Sequence, residues 1–159
     1  MFDGASSFDQ NISYWSISDS ASLTRMFSDL MVSNQGFSET PTPSEFGRTR
    51  ITDRSSLDTA ITAWIADEAS ATTTYGDINN WDVSNITDFS LLFEGQINFN
   101  SDISGWDVSS GTNFSSMFTD AEIFNSDISS WNLTSGNDFS YMFDGATSFN
   151  RDIGDWDVS

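Results

Sequence analysis

Large apolar residues fall at fixed phases of a 25-residue period. Trp81, Trp106, Trp131 and Trp156 keep that spacing, and so do Ile78, Ile103, Ile128 and Ile153. The columns Val83, Val108, Leu133, Val158, then Phe89, Phe114, Phe139, then Phe93, Phe118, Phe143, then Phe99, Phe124, Phe149 follow in the same phase. Between them the positions are mostly Ser, Thr, Asn and Asp. Within a unit, Trp-x-Val places two residues on one face of an extended segment, so Ile-x-x-Trp-x-Val predicts a short strand. The following Thr-x-x-Phe-Ser-x-Met-Phe spaces apolar residues at i, i+3 and i+4, which predicts a short helix or 3-10 turn. One strand and one helical turn per unit predict an α/β solenoid. Its coils of about 25 residues would stack about 4.8 Å apart, with equivalent residues forming ladders.

The ladders account for the residue types. A buried Trp covers about 200 Å², roughly 5 kcal/mol of gross hydrophobic stabilisation as an upper bound. Trp81, Trp106, Trp131 and Trp156 are therefore the expected structural ladder. Asn100, Asn125 and Asn150 are expected to form an internal one, bonding backbone at the turn between coils.

Residues 1–32 carry the same pattern, with Phe8, Ile12, Trp15, Ile17, Leu23, Met26 and Phe27 in phase. They read as one repeat coil, either the end of a preceding array or a coil that completes another copy. The stretch 33–50, "SNQGFSETPTPSEFGRTR" from Ser33 on, breaks the pattern and reads as a linker or excursion. Residues 51–76 contain Leu57, Ile61, Trp64 and Ile65 at i, i+4, i+7 and i+8, behind a Ser55-x-x-Asp58 capping pattern. This predicts an amphipathic helix that caps the array at 77–159, since an uncapped first coil exposes its apolar edge. Met1 stands in the phase of Met117 and Met142, and Ser159 in that of Ser84 and Ser109. Both ends of the sequence thus cut through a coil. A fragment of a longer repeat protein and a head-to-tail polymer both fit.

Charge changes the list of partners. Among 159 residues there are 24 acidic residues against five Arg and no Lys, a net charge of −19. Such a surface repels nucleic acid and anionic membranes. It suits a salty exterior, where counterions screen like charges. Cysteine is absent, which removes disulfides and thiolate metal sites. No apolar run approaches the roughly 20 residues of a membrane-spanning helix. The segment "MFDGASSFDQ" has neither the charged nor the apolar region of a secretory signal.

Chemistry competes with architecture at the acidic columns. With no His, Cys or Lys, the usual general bases and activated nucleophiles are missing, and the carboxylates recur in every unit as structural positions do. The chain is therefore expected not to be an enzyme and to need no catalytic cofactor. Asp77, Asp102, Asp127 and Asp152 form one unbroken column, and carboxylates stacked near 5 Å repel by about 1 kcal/mol even in water. Either each Asp accepts hydrogen bonds at a turn, or a cation such as Ca²⁺ sits between coils. Turn capping is the simpler reading, because no Asp-x-Asp-x-Asp-Gly loop is present. Asn11, Asn85, Asn113 and Asn132 stand in Asn-x-Ser/Thr sequons, candidate glycosylation sites that a Ser/Thr/Asn-rich repeat also produces by chance.

The motif "MFxxAxxFNxDISxWDVS" resembles the BspA-like bacterial surface-protein repeat family, a short-period relative of leucine-rich repeats. The segment around "YGDINNWDVSNITDFS" resembles the start of that family's arrays. The likeness covers 1–30 and 51–159; Leu92 and Gln96 depart from the usual Met and Ala. It implies a secreted or surface-exposed protein with a binding or adhesive role, and it brings no catalytic residues. Together these readings lead us to expect a non-catalytic extracellular repeat protein. Its partners would be other copies, joined head to tail into a filament, or a cell-surface glycan or protein.

Overall fold

A computed structural model of the chain divides after Arg50 into two units, 1–50 and 51–159; residues 48–158 are described. The readings on 1–32, on most of the linker and on Asn11 lie outside the described residues. Of the first unit, Thr49–Arg50 form a two-residue strand, β1.

The second unit opens with helix α1, Arg54–Ala66. Its cap is Asp53, whose extended backbone and carboxylate receive the Ser56 N–H at 2.8 Å and the Ser56 hydroxyl at 3.0 Å. The cap thus lies two residues before Ser55, and Asp58 instead holds Arg54 at 2.7 Å, one turn back. Leu57, Ala60, Ile61 and Trp64 form the buried face, while Ile65 stays exposed. Asp67, extended at φ −160°, ends α1 and caps α2, Glu68–Tyr75, by accepting from the N–H groups of Ala69 and Ser70. Gly76, at φ 72°, closes α2 in a conformation that only glycine adopts without strain. No helix among the described residues is long and apolar enough to cross a membrane.

From Asp77 onward, segments 25 residues apart lie on one another: 77–101, 102–126, 127–151 and the start of a fourth at 152–158. Parallel bridges join Asp88 to Asn113 and Asn113 to Asp138. The phenylalanine columns stack ring on ring, Phe89 on Phe114 on Phe139 at 5.3 and 5.4 Å, and Phe93 on Phe118 on Phe143 at 5.4 and 5.6 Å. Phe99, Phe124 and Phe149 form a third column. Within a repeat the second and third columns meet at about 4 Å between centroids, as in Phe118 and Phe124 at 3.9 Å. One continuous core results, running from α1 through the repeats.

Local structure differs from the pattern's expectation. Ile-x-x-Trp is a tight turn in each repeat, with the Trp N–H donating to the Ile carbonyl three residues back, as Trp106 does to Ile103 at 3.1 Å. Only the first repeat adds a 3-10 turn, Ile78–Asn80, and a strand, β2, Trp81–Asp82. The Phe-Ser-x-Met-Phe run is not helical. Its alternate N–H groups reach across to the next repeat, and Leu91, Ser116 and Tyr141 take left-handed φ of 61°, 53° and 57° to make that possible. The i, i+3, i+4 spacing is the same for one helical face and for a chain of tight turns, and inter-repeat bonding selects the turns. At the preceding corner the second and third repeats carry glycine, where a Cβ on Gly111 or Gly136 would lie 2.3 or 2.2 Å from the ring of Phe114 or Phe139, while the first repeat makes the same turn with a buried Ile86.

Candidate functional site, the two faces of the repeat stack

Each Asp column turns out to be a set of local turns. Asp102, Asp127 and Asp152 accept the N–H two residues on, from Ser104 at 2.9 Å, Ser129 at 3.1 Å and Gly154 at 3.0 Å, and Asp77 does so from Asn79 at 2.9 Å. Asp82 and Asp107 repeat the turn at a second corner, and Asp88, Asn113 and Asp138 at a third. Asn113 and Asn132 accept with the same geometry as their Asp equivalents, so the oxygen is what the turn uses rather than the charge. Hydrogen bonds from the hydroxyl and N–H of Ser129 hold Asp127 below the ordinary carboxylate value, and Ser140 does the same for Asp138. Burial pushes Asp88 up, but the Ser90 hydrogen bonds and the Arg54 guanidinium outweigh it, leaving a lowered value. Among the described residues, no three acidic side chains converge as ion ligands. The turns do not bring Asp77, Asp102, Asp127 and Asp152 together as a calcium site.

The Asn column is a ladder. Asn100 Oδ1 accepts the Asn125 N–H at 2.7 Å, and Asn125 Oδ1 accepts that of Asn150 at 3.0 Å. It runs along the surface, not inside, since Asn100 and Asn150 are exposed. Trp81, Trp106 and Trp131 are buried and Trp156 half-buried; Trp81 donates its indole N–H to the Gly76 carbonyl at 3.4 Å, and the other three reach back to the Ile carbonyl of the preceding repeat. Trp106 donates to Ile78 at 2.7 Å, Trp131 to Ile103 at 3.3 Å and Trp156 to Ile128 at 3.2 Å. Of the sequon residues described, Asn85 and Asn132 are exposed and Asn113 is half-buried; the side-chain oxygens of Asn113 and Asn132 are engaged by Ser115 and Thr134.

Through Asp88–Gly95 and its equivalents the backbone ladder has a direction. Phe89, Leu91, Phe93 and Gly95 donate to the carbonyls of Asn113, Ser115, Met117 and Thr119 at 2.8 to 3.0 Å. Phe114, Ser116, Phe118 and Asp120 donate likewise to Asp138, Ser140, Met142 and Asp144. In this run each repeat offers carbonyls toward α1 and N–H groups toward the following repeat, so the two faces of the stack differ chemically.

The near face is covered. Arg54, at the first turn of α1, donates from Nη1 to the Asp88 carbonyl at 3.0 Å and from Nη2 to that of Ser90 at 2.7 Å. These two carbonyls are the equivalents of Asn113 O and Ser115 O, which take backbone N–H groups. One guanidinium fork thus stands in for two peptide donors of a preceding repeat. Trp64 packs edge-on against Trp81 at 5.7 Å and donates to Ser101 Oγ at 2.9 Å. Sequence reasoning placed the cap helix but missed this role of Arg54. Its only signal was an Arg at the helix start in a chain nearly devoid of cations.

The far face is not covered by any described residue. Phe139, Phe143, Phe149, Ile153 and Trp156 are half-buried, where their equivalents one repeat earlier are buried. Val158 is 52% exposed, against 1% for Leu133. The N–H groups of Phe139, Tyr141, Phe143 and Gly145 have no acceptor among the described residues.

Comparison with known proteins gives one match. A family model described as "Mycoplasma protein of unknown function, DUF285" covers residues 1–64 and 59–159. No curated protein and no solved structure matches the chain.

Proposed function

Because the chain belongs to the Mycoplasma DUF285 family of unknown function, we propose that it is a non-catalytic extracellular repeat protein, a structural or adhesive element of a cell surface. In this reading the repeats form a leucine-rich-repeat-like solenoid of the BspA-like kind, and copies extend one another head to tail. The in-register stacking of equivalent aromatic rings at 5.3 to 5.6 Å carries it, because a stack of this kind extends by adding one more repeat. The absence of His, Cys and Lys and the use of the Asp columns in turns support a non-catalytic role. Light scattering across a wide concentration range, with electron microscopy of the same samples, tests it. Concentration-dependent linear assemblies are expected, and a monomer at every concentration overturns the filament reading.

A second reading, recognition of a surface glycan or protein, draws on the shallow groove where α1 meets the first repeat. Ile65, Leu91 and Ile97 are exposed beside it. Binding of the monomer to a glycan panel, lost on Leu91→Asp, would select this reading.

A further inference from the structure

The repeats serve as one another's controls, and one strip of surface departs from them. Four of the six large apolar residues exposed among the described ones, Leu91, Ile65, Ile97 and Ile123, adjoin one another. Ile65 lines a groove between the second half of α1 and the first repeat, shared with Leu91 in one part and with Ile97 in the other. The Ile123 N–H donates to the Ile97 carbonyl at 3.3 Å, which carries the strip onto the second repeat. Leu91, Ile97 and Ile123 are 52%, 49% and 45% exposed, so the strip is a continuous patch rather than scattered side chains.

The stack does not require apolar residues there. The equivalents of Leu91 are Ser116 and Tyr141, those of Ile97 are Glu122 and Thr147, and those of Ile123 are Asn98 and Ser148. Ser116 takes the same left-handed φ as Leu91, 53° against 61°, and makes the same bond to the next repeat. Gln96 departs as well. Its equivalents Ala121 and Ala146 are buried, whereas Gln96 is half-buried and lines both parts of the groove. Its side-chain amide makes no hydrogen bond to a described residue. That amide offers a donor and an acceptor side by side, the complement of one peptide group.

Charge narrows the occupant. Asp58, Asp67 and Glu68 line the groove, and no cationic residue does. Arg54 is paired with Asp58, which leaves Asp67 and Glu68 without an ion pair among the described residues. A second copy would bring the same acidic rim and no Lys to meet it, and an anionic membrane would be repelled in the same way.

We infer that this groove docks a peptide segment of another protein, one that carries two or three apolar side chains flanked by Lys or Arg. The apolar side chains cover Leu91, Ile65 and Ile97, a main-chain amide pairs with Gln96, and the cations lie over Asp67 and Glu68. This inference rests on the recognition reading of the same groove and gives it a partner class.

Short random peptides displayed on phage are selected on the full-length chain and compared on a grafted chain. The graft is Leu91→Ser, Gln96→Ala, Ile97→Thr and Ile123→Ser, each the residue another repeat uses at that position, and its thermal unfolding is measured beside the parent's. Should the graft unfold early, Ile97→Thr alone takes its place. Enriched peptides are expected to combine apolar residues with Lys or Arg and to bind the parent about ten-fold or more tightly than the graft by fluorescence anisotropy. Their binding should weaken as salt rises and be unchanged by Tyr141→Ser, an exposed aromatic outside the groove. Peptides without basic residues, or equal binding to parent and graft, would overturn the inference. Glycan binding lost on Leu91→Asp with no peptide enriched would overturn it and leave the recognition reading standing; neither glycan nor peptide binding would overturn both. Parent assemblies that the graft dissolves, seen by light scattering, would make a second copy the occupant and overturn the peptide partner.

Discussion

The two faces of the repeat stack are built from the same residue types and differ in what lies beyond them. Trp81 at the near face is buried, roofed by Trp64 and Tyr75 with ring centroids at 5.7 and 5.9 Å. Trp156 at the far face stands in the same sequence context and donates its indole N–H to the Ile128 carbonyl, where Trp81 donates to that of Gly76, yet it is only half-buried. A residue's contribution in a stacked repeat is thus a nearest-neighbour quantity, depending on the repeat before it and the repeat after it. Helix α1 replaces a repeat on one side with different chemistry, a Trp edge for a Trp face and a guanidinium for two peptide groups.

The largest expected effect tests that point with one substitution at two places. Trp106→Ala removes a side chain that stacks on Trp81 at 6.4 Å and donates to Ile78. It should cost about 3–5 kcal/mol. Trp156→Ala should cost roughly half that, because one of its faces is already open. Urea unfolding of the two variants measures the difference, and equal losses would show that far-face burial does not track the missing neighbour.

A smaller effect is expected at the near face. Arg54→Met keeps the stem but leaves the carbonyls of Asp88 and Ser90 without their donors, at about 1–3 kcal/mol. Arg54→Lys should recover only part of this, since a single ammonium cannot span both carbonyls as the planar fork does. Full recovery with Lys would reduce the contact to simple charge.

The smallest effect lies along the corners that both faces share. Asp127 and Asp138 have lowered values in the folded chain, so between the folded and unfolded values the unfolded chain binds more protons. Their contribution is present above the ordinary carboxylate value near 4 and is lost as pH falls through the lower folded value. An Asp127→Asn/Asp138→Asn chain should match the parent's melting temperature near pH 7 and lose less of it on acidification to pH 3. Asn113 and Asn132 already serve the same turns uncharged. An unchanged acid sensitivity would place its origin elsewhere.

Much of this was legible in the residues. The 25-residue phase identified the ladder of Trp81, Trp106, Trp131 and Trp156, and the Asn column that links Asn100 to Asn125 to Asn150. The helical spacing of Leu57, Ile61 and Trp64 pointed to the helix ahead of the repeats, and the lack of an Asp-x-Asp-x-Asp-Gly loop to turns at the Asp columns. Less legible was the conformation of Phe-Ser-x-Met-Phe. Its spacing fits a helical face, but its N–H groups find better acceptors in the next repeat, 24 residues on, than four residues back. A local pattern cannot weigh a partner that distant.

Periodicity alone determined which residues would share a column, because identical residues at a fixed spacing can pack against one another only in register. Tertiary structure decided the direction of the ladder and the fate of its ends. Peptide groups are dipoles with a donor and an acceptor end, and their common orientation between Asp88 and Gly95 emerges only when turns with left-handed residues are closed against a neighbour. That orientation makes Arg54 a fitting cover for one face and leaves N–H donors on the other.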